Sequence, residues 1–417
     1  MREHIAFFVI PEFADVNPTL SVVATLVRRG HRITYVTTDQ FRRNVTDVGA
    51  EFVQCAPFQN QAHPSDDTSL VEGDPADAFA LRTLATVTAF YNSNKPDLIV
   101  HDYLCFAGRI LAATLRVPTV QVAPDFALDR DTPSTLVPEF YETVLRIADE
   151  RRPFLTQHEI PSDSWYFHRG ELNVYFYPKF LQLDAHEFDE TCFYAGRCAA
   201  ERPYRPTWRP KSCGGKPVAL VSTSTSFIQG SDYFRMCIEA LSGLKYHVVL
   251  ALGENNDPRS LEPLPPHFEI LKGTPQIEVM PHAELLICLG GMTTTSEALY
   301  HGIPMLMITH GHLEAEAYAE NNASRGLGIH LRKAQTTAGN IRDSALRISK
   351  DYAILSRVKE LQYLIRRSPG AEETANRLEE YLATVAQRPS GQCVTGEVSR
   401  ASSTKSQSPD IGTTSGR

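Results

Sequence analysis

The chain has 417 residues, 42% hydrophobic and 22% charged, a composition that excludes both a disordered chain and a bundle of membrane spans. A chain of that length is too long for one ordinary core, so two domains are expected. Lys and Arg number 41 against 49 Asp and Glu, and the formal net charge of −8 argues against nucleic acid or an anionic lipid surface as partner.

The first apolar run, Ile5 to Ile10, is too short to span a bilayer and lacks a small-residue cleavage site, so no signal peptide is expected. Its unbroken hydrophobicity is that of a parallel strand buried on both faces. After a loop from Pro11 to Val16, the residues Leu20, Val23, Ala24 and Val27 recur at the spacing of one helix face. Asn17 ahead of Pro18 has the form of an N-cap followed by proline at the first helical position. Gly30 after Arg28 and Arg29 stops the helix, and Arg32 to Thr37 is the next strand. The result is a βαβ unit with a right-handed crossover.

The alternation continues with a strand at 97–100, a helix at 106–115 and a strand at 119–122. Residues 56–78 are polar and rich in Pro and Asp, the composition of a long surface loop; 137–151 is helical and 172–177 extended. Pro, Arg, Gly and Lys dominate from about 199 to 217, as in an interdomain linker. A second series follows: strand 218–222, helix 231–241, strand 247–252, strand 285–288, helix 296–300, strand 304–308 and an amphipathic helix at about 371–385. Residues 388–417 are rich in Ser, Thr and Gly and too poor in apolar side chains to offset ordering entropy, so a disordered tail is expected. The eight cysteines form no Cys-x-x-Cys pair, which points to reduced thiols in a cytoplasmic protein and to no zinc site.

Ligands of open parallel sheets bind outside the carboxyl ends of the strands. Loops there carry the candidates. Asp15 lies at the mouth of the first strand. His101 and Asp102 end the strand at 97–100 on opposite sides of the sheet, and Asp102 is the better functional candidate. The loop Leu289-Gly290-Gly291-Met292-Thr293-Thr294-Thr295 precedes a helix, and glycines with free helix-start amides suit a phosphate. The hydroxyl-rich stretch Ser222-Thr223-Ser224-Thr225-Ser226 follows the first strand of the second series and faces the same mouth.

These residues carry a resemblance. His4-Ile5-Ala6-Phe7-Phe8-Val9-Ile10-Pro11, then Val16-Asn17-Pro18-Thr19-Leu20 and Arg29-Gly30-His31, resemble the macrolide glycosyltransferases, related to plant and animal UDP-sugar transferases. The likeness spans nearly all of 4–386 and includes Pro96-Asp97-Leu98-Ile99-Val100-His101-Asp102, Tyr177-Pro178-Lys179, Pro275-Gln276, Gly290-Gly291-Met292 with Glu297, and Gly326-Leu327-Gly328. It implies an α/β fold of the GT-B type, two Rossmann-like, doubly wound parallel-sheet domains facing a central cleft. The boundaries it suggests are 1–200 for acceptor binding, 201–216 for the linker, 217–387 for nucleotide-sugar binding and 388–417 for the tail. Helix 371–386 is free to pack back on the N-terminal domain.

The resemblance further implies an inverting transfer with no cofactor. A nucleotide sugar, UDP- or dTDP-linked, donates its sugar to a small-molecule acceptor resembling a natural product. The family's base is a histidine in the first loop, oriented by an aspartate at the later strand end. Asp102 matches that aspartate, whereas Asp15 stands in place of the histidine. The family's phosphate-binding histidine is Leu289 here, its glycine after the first strand of the second domain is Ser224, and its acid-Gln pair for sugar hydroxyls is Leu313-Glu314. Glu297 matches the ribose contact and Thr274-Pro275-Gln276 the base-binding turn, so Ser224, Thr225, Thr274, Gln276, Gly290, Gly291, Met292, Thr293, Thr294, Glu297 and Glu314 are the expected donor residues.

If Asp15 and Asp102 adopt the family's geometry, two carboxyls share one site, and one of them is pushed toward holding a proton near neutrality. That yields either a carboxylate general base or, as the other open reading, a repurposed protein of the same fold that catalyses something else or binds a partner. The sequence sets no oligomeric state.

Overall fold

The computed structural model describes residues 2–58, 76–130, 134, 136–158, 160, 167, 170–183, 188–198, 208, 215–222, 230–253, 256–271 and 276–388. Its strands form where apolar residues run together. In the N-terminal half the order is β1 (His4–Phe8), α1 (Phe13–Arg28), β2 (Arg32–Thr37), α2 (Arg42–Asp47), β3 (Glu51–Gln54), α3 (Ala76–Ser93), β4 (Leu98–Asp102), α4 (Phe106–Leu115), β5 (Thr119–Ala123), α5 (Pro138–Gln157), β6 (Asn173–Tyr175) and β7 (Cys192–Tyr194). In the C-terminal half it is β8 (Val218–Ser222), α6 (Ser231–Leu241), β9 (His247–Ala251), β10 (Phe268–Leu271), α7 (Gln276–Val279), β11 (Ala283–Cys288), α8 (Met292–His301), β12 (Met305–Ile308), α9 (Leu313–Ser324), β13 (Gly328–Leu331), α10 (Ala338–Ile348), α11 (Tyr352–Ile365) and α12 (Gly370–Ala386).

All strand pairs are parallel, and the sheet orders are β3-β2-β1-β4-β5-β6-β7 and β10-β9-β8-β11-β12-β13. The two doubly wound α/β halves of the expectation are therefore present. Each sheet has a switch point, β1 against β4 in the first and β8 against β11 in the second. The loops leaving those strands diverge to opposite faces and open a crevice. The first crevice is flanked by the residues after β1 and β4, the second by those after β8 and β11.

Alternation assigns each side chain to a layer. Ile5 and Phe7 of β1, with Leu98 and Val100 of β4, share a core with Val16, Val23 and Leu26 of α1. Ala6, Phe8 and Ile99 share the other core with Phe106 and Ile110 of α4. Asp102 therefore points toward α1. His101 lies against α4, where a Cβ at Gly108 would stand 2.8 Å from that of His101. Only glycine fits there.

Three helix starts differ from expectation by more than one residue, α5 runs on to Gln157, and β11 begins at Ala283. Helix α1 begins at Phe13, with Glu12 as its extended N-cap, so Asn17 is not the cap and Pro18 lies inside the helix. The ring of Phe13 packs 4.9 Å from Phe41 and Val16 is fully buried. Their burial, roughly 1.5–3 kcal/mol per large apolar side chain, outweighs the single backbone bond that Pro18 forgoes. Helix α8 begins at Met292 rather than Ser296, so the three threonines are helical. Helix α3 starts at Ala76, inside the loop expected over 56–78, of which 59–75 lie outside the described residues.

Of the expected linker, Trp208 is buried against the C-terminal half, its amide donating to Glu278 at 2.8 Å. The rest of 201–214 lies outside the described residues, as does the tail beyond Arg388. Helix α12 lies on α1, and its Ala375 and Leu378 belong to the N-terminal core. Arg29 bonds Glu372 at 2.7 Å and Glu379 at 2.6 Å, and His31 meets Glu379 at 2.9 Å. No helix among the described residues is long and apolar enough to cross a membrane.

Candidate active site

At the first switch point Asp15 sits in the opening turn of α1, its amide donating to the Glu12 carbonyl at 3.2 Å, and Asp102 ends β4. Both are buried, 6% and 1% exposed, and each carboxyl acts on the proton affinity of the other. Two buried carboxylates that face each other repel, which favours a proton on one of them.

Burial raises the Asp15 carboxyl well above the usual range, and the charges of Asp102, Asp125 and Glu12 raise it further. Burial also pushes Asp102 up, to about 7, against the Leu104 amide, which donates to Oδ1 at 2.8 Å and favours the ionised form. The pair is thus pushed toward sharing one proton near neutrality. His101 takes no part: its ring nitrogen meets the Asp102 carbonyl at 3.1 Å, and burial and the Arg109 charge push it down to about 3.

The reading from sequence missed a third carboxyl. Asp125 follows β5 two residues after Ala123, and its two oxygens accept hydroxyl bonds from Tyr103 of the N-terminal half and Tyr318 of α9. Burial raises it to about 6, opposed by the bond from Tyr103. The strand-mouth rule that selected Asp15 and Asp102 also selects Asp125 once it is applied to the strand at 119–122. Glu314, in the first turn of α9, accepts from the same Tyr318 hydroxyl at 3.2 Å.

At the second switch point the loop after β11 forms a rigid shelf. Gly290 has φ +89°, and a Cβ there would stand 3.0 Å from Met307. Its carbonyl accepts from Thr295 and from Asn322, each at 2.9 Å. The Thr295 hydroxyl is consequently occupied and buried, and Met292 turns its side chain into the core; what this turn offers a ligand is the helix-start amides beyond Gly291, beside half-buried Thr293 and Thr294. Such amides favour an anion.

Beside the shelf, Gln276 accepts from the Ser222 hydroxyl at 2.5 Å and donates to Glu297 at 3.1 Å and to Thr294 at 3.4 Å. Four of the polar residues expected along this mouth thus form one network. Leu289 is 7% exposed and belongs to the packed interior. Ser224, Thr225 and Thr274 lie outside the described residues. Among the described residues no group of three or more His, Cys, Asp or Glu side chains is disposed to hold a metal ion.

Comparison with known proteins fits this architecture. Residues 235–381 match the family described as erythromycin biosynthesis protein CIII-like, C-terminal domain. The chain is 32% identical to the NDP-glycosyltransferase YjiC of Bacillus licheniformis over 92% of its own length and 98% of the relative's. It is 28% identical to the demethyllactenocin mycarosyltransferase of Streptomyces fradiae, covering 92% and 87% of the two chains. Among solved structures, the calicheamicin glycosyltransferase CalG4 superposes with a TM-score of 0.76 at 31% identity, over 92% of this chain and 99% of that one. Two parallel sheets with their switch points, and likeness over nine-tenths of the chain, have one reading: the chain belongs to the macrolide glycosyltransferase family of the GT-B fold.

Proposed function

We propose that the protein is an inverting glycosyltransferase that moves a sugar from a UDP- or dTDP-sugar to a hydroxyl of a small, natural-product-like acceptor. The N-terminal half holds the acceptor, and the Asp15–Asp102 pair takes its proton. The acceptor oxygen then forms a bond to the anomeric carbon as that carbon's bond to the diphosphate breaks. The proton stays on the carboxyl pair and the electron pair leaves with the nucleotide diphosphate. Ser222, Gln276 and Glu297 hold the nucleoside, and the amides after Gly291 hold the diphosphate.

The observation that carries this reading is the pair itself, two buried carboxyls where the first sheet's switch point opens. A carboxylate with so raised a proton affinity is a stronger base than an ordinary one, and general-base catalysis contributes roughly 10²–10⁴-fold. One observation favours a second reading. Leu289 lies in the packed interior where the family has a phosphate-binding histidine, and a donor site lacking that group fits a repurposed cleft.

One experiment separates the two. The protein is incubated with UDP-glucose or a dTDP-sugar and a panel of phenolic and macrolide acceptors, while UDP and dTDP binding is followed by calorimetry. Transfer that Asp15→Asn abolishes without weakening nucleotide binding supports the first reading. Absent nucleotide binding, or activity that arises only in Asp15→His, supports the second.

A further inference from the structure

Asp125 is the point at which the two halves meet chemically, and the proton transfer described above does not use it. Its oxygens accept one hydroxyl from each half, Tyr103 beside β4 and Tyr318 on α9. The same helix is fastened to the N-terminal half around that point. The Tyr318 ring lies 5.0 Å from that of Phe126, the Asn321 amide donates to the Leu181 carbonyl at 2.8 Å, and Arg325 donates to the Gln182 carbonyl at 2.5 Å.

We propose that Asp125 is a positioning residue for the carboxyl pair: clasped by Tyr103 and Tyr318, it is a third carboxyl beside Asp15 and Asp102 whose negative charge acts on them to an extent set by closure of the two halves. The proposal rests on the carboxyl pair being the base.

The groups around the cluster show why it works in this direction. Asp15 is faced by Glu12 from α1, by Asp102 from β4 and by Asp125. Tyr35 and Cys105 are coupled to Asp102, and Tyr103, Tyr318 and Glu314 complete the surroundings of Asp125. None of these groups is a cation.

With the halves clasped, the cluster is dry and the Asp125 charge acts on its neighbours at low effective dielectric, which holds the proton on the pair. With Tyr318 withdrawn, water reaches the cluster, the repulsion is screened, and the pair loses its proton more readily. The base is thus strongest when the cleft is closed round both substrates.

The test follows the pH dependence of kcat and kcat/KM in Asp125→Asn, Tyr318→Phe and the double variant. In parallel, the aspartate carboxyls of the unliganded protein are titrated by NMR with ¹³C-carboxyl-labelled aspartate. Asparagine removes the charge and keeps one acceptor oxygen, and its amide nitrogen donates to the other tyrosine hydroxyl, which rotates to accept. Each single variant is expected to move the acid limb of kcat/KM down by about one pH unit and to lower kcat about tenfold, the double variant to lose no more than either alone, and the two raised carboxyls to titrate lower. Separate additive losses, or an unmoved acid limb and carboxyl titration in both single variants, overturn the proposal. If the wild type transfers no sugar while its carboxyl titrations move in the variants, the assigned reaction fails and the clasp stands.

Discussion

A carboxyl pair that shares a proton in a buried wall ties activity and stability to pH in opposite senses. As a base the pair must carry one negative charge, so kcat/KM should fall as pH drops through the region near 7 to which Asp102 is raised. Asp15→Asn removes the acid that completes the pair, and turnover should drop by roughly 10²–10⁴. For stability the sign reverses. A carboxyl with a higher pKa folded than unfolded binds its proton more tightly in the native chain, so stability is lost as pH rises from the ordinary carboxylate value of 3.8 toward about 7. Asp15→Asn should therefore melt higher than the wild type at pH 8, with the gap closing below about pH 4; thermal melts across that range check it, and a variant that melts lower at pH 8 refutes it. The candidates were legible in the sequence because Asp102 ends one strand and Asp15 follows another, and the family resemblance sets the two positions opposite each other. Asp125 satisfies the same rule, yet its partner Tyr318 lies 193 positions away and only the fold unites them.

Among the elements, α12 shows how one helix of the C-terminal half completes the other half's core. Its amphipathic pattern is visible in the sequence, and the paired charges on α1, Arg28 and Arg29 facing Glu372 and Glu379, fix its face. Those ion pairs are mostly exposed and contribute little; the anchor is Leu378, 1% exposed among the residues of α1. Leu378→Ala should destabilise the chain by about 2–5 kcal/mol in denaturant melts and leave a single cooperative transition, because the removed contact belongs to the N-terminal core. Loss of under about 1 kcal/mol, or early separate unfolding of α12 alone, would show that the helix is merely laid on the surface. The strands legible in advance are the buried central ones, with unbroken apolar runs. The edge strands β3, β7, β10 and β13 were missed because half-exposed residues interrupt their pattern. Pro18 marks a helix start in the sequence, but the packing of Phe13 against Phe41 sets the start of α1 earlier.

On the proposed function the two switch points divide the work across the whole molecule, and that division can be tested by crossing variants. The fold class was legible because two βαβ series flank a Pro- and Gly-rich stretch; how the halves contact each other was not, since Tyr318, Asn321 and Arg325 follow no periodicity that marks them for it. The network at the second switch point, assigned to the donor in the proposal, converges on Glu297, which is 8% exposed, accepts from Gln276 and interacts electrostatically with Arg197. Glu297→Gln keeps the shape and removes the charge that a pair of ribose hydroxyls would bond. A hydrogen bond to a charged group contributes about 1.5–3 kcal/mol, so UDP or dTDP binding should weaken on the order of 10–100-fold by calorimetry. The acid limb of kcat/KM should stay in place, because Glu297 is absent from the groups acting on Asp15 and Asp102. Asp15→Asn should show the converse, with nucleotide affinity held within about twofold and turnover lost. If the two variants weaken nucleotide binding alike, proton transfer and donor binding share one site and the assignment of separate tasks to the two sheets is wrong.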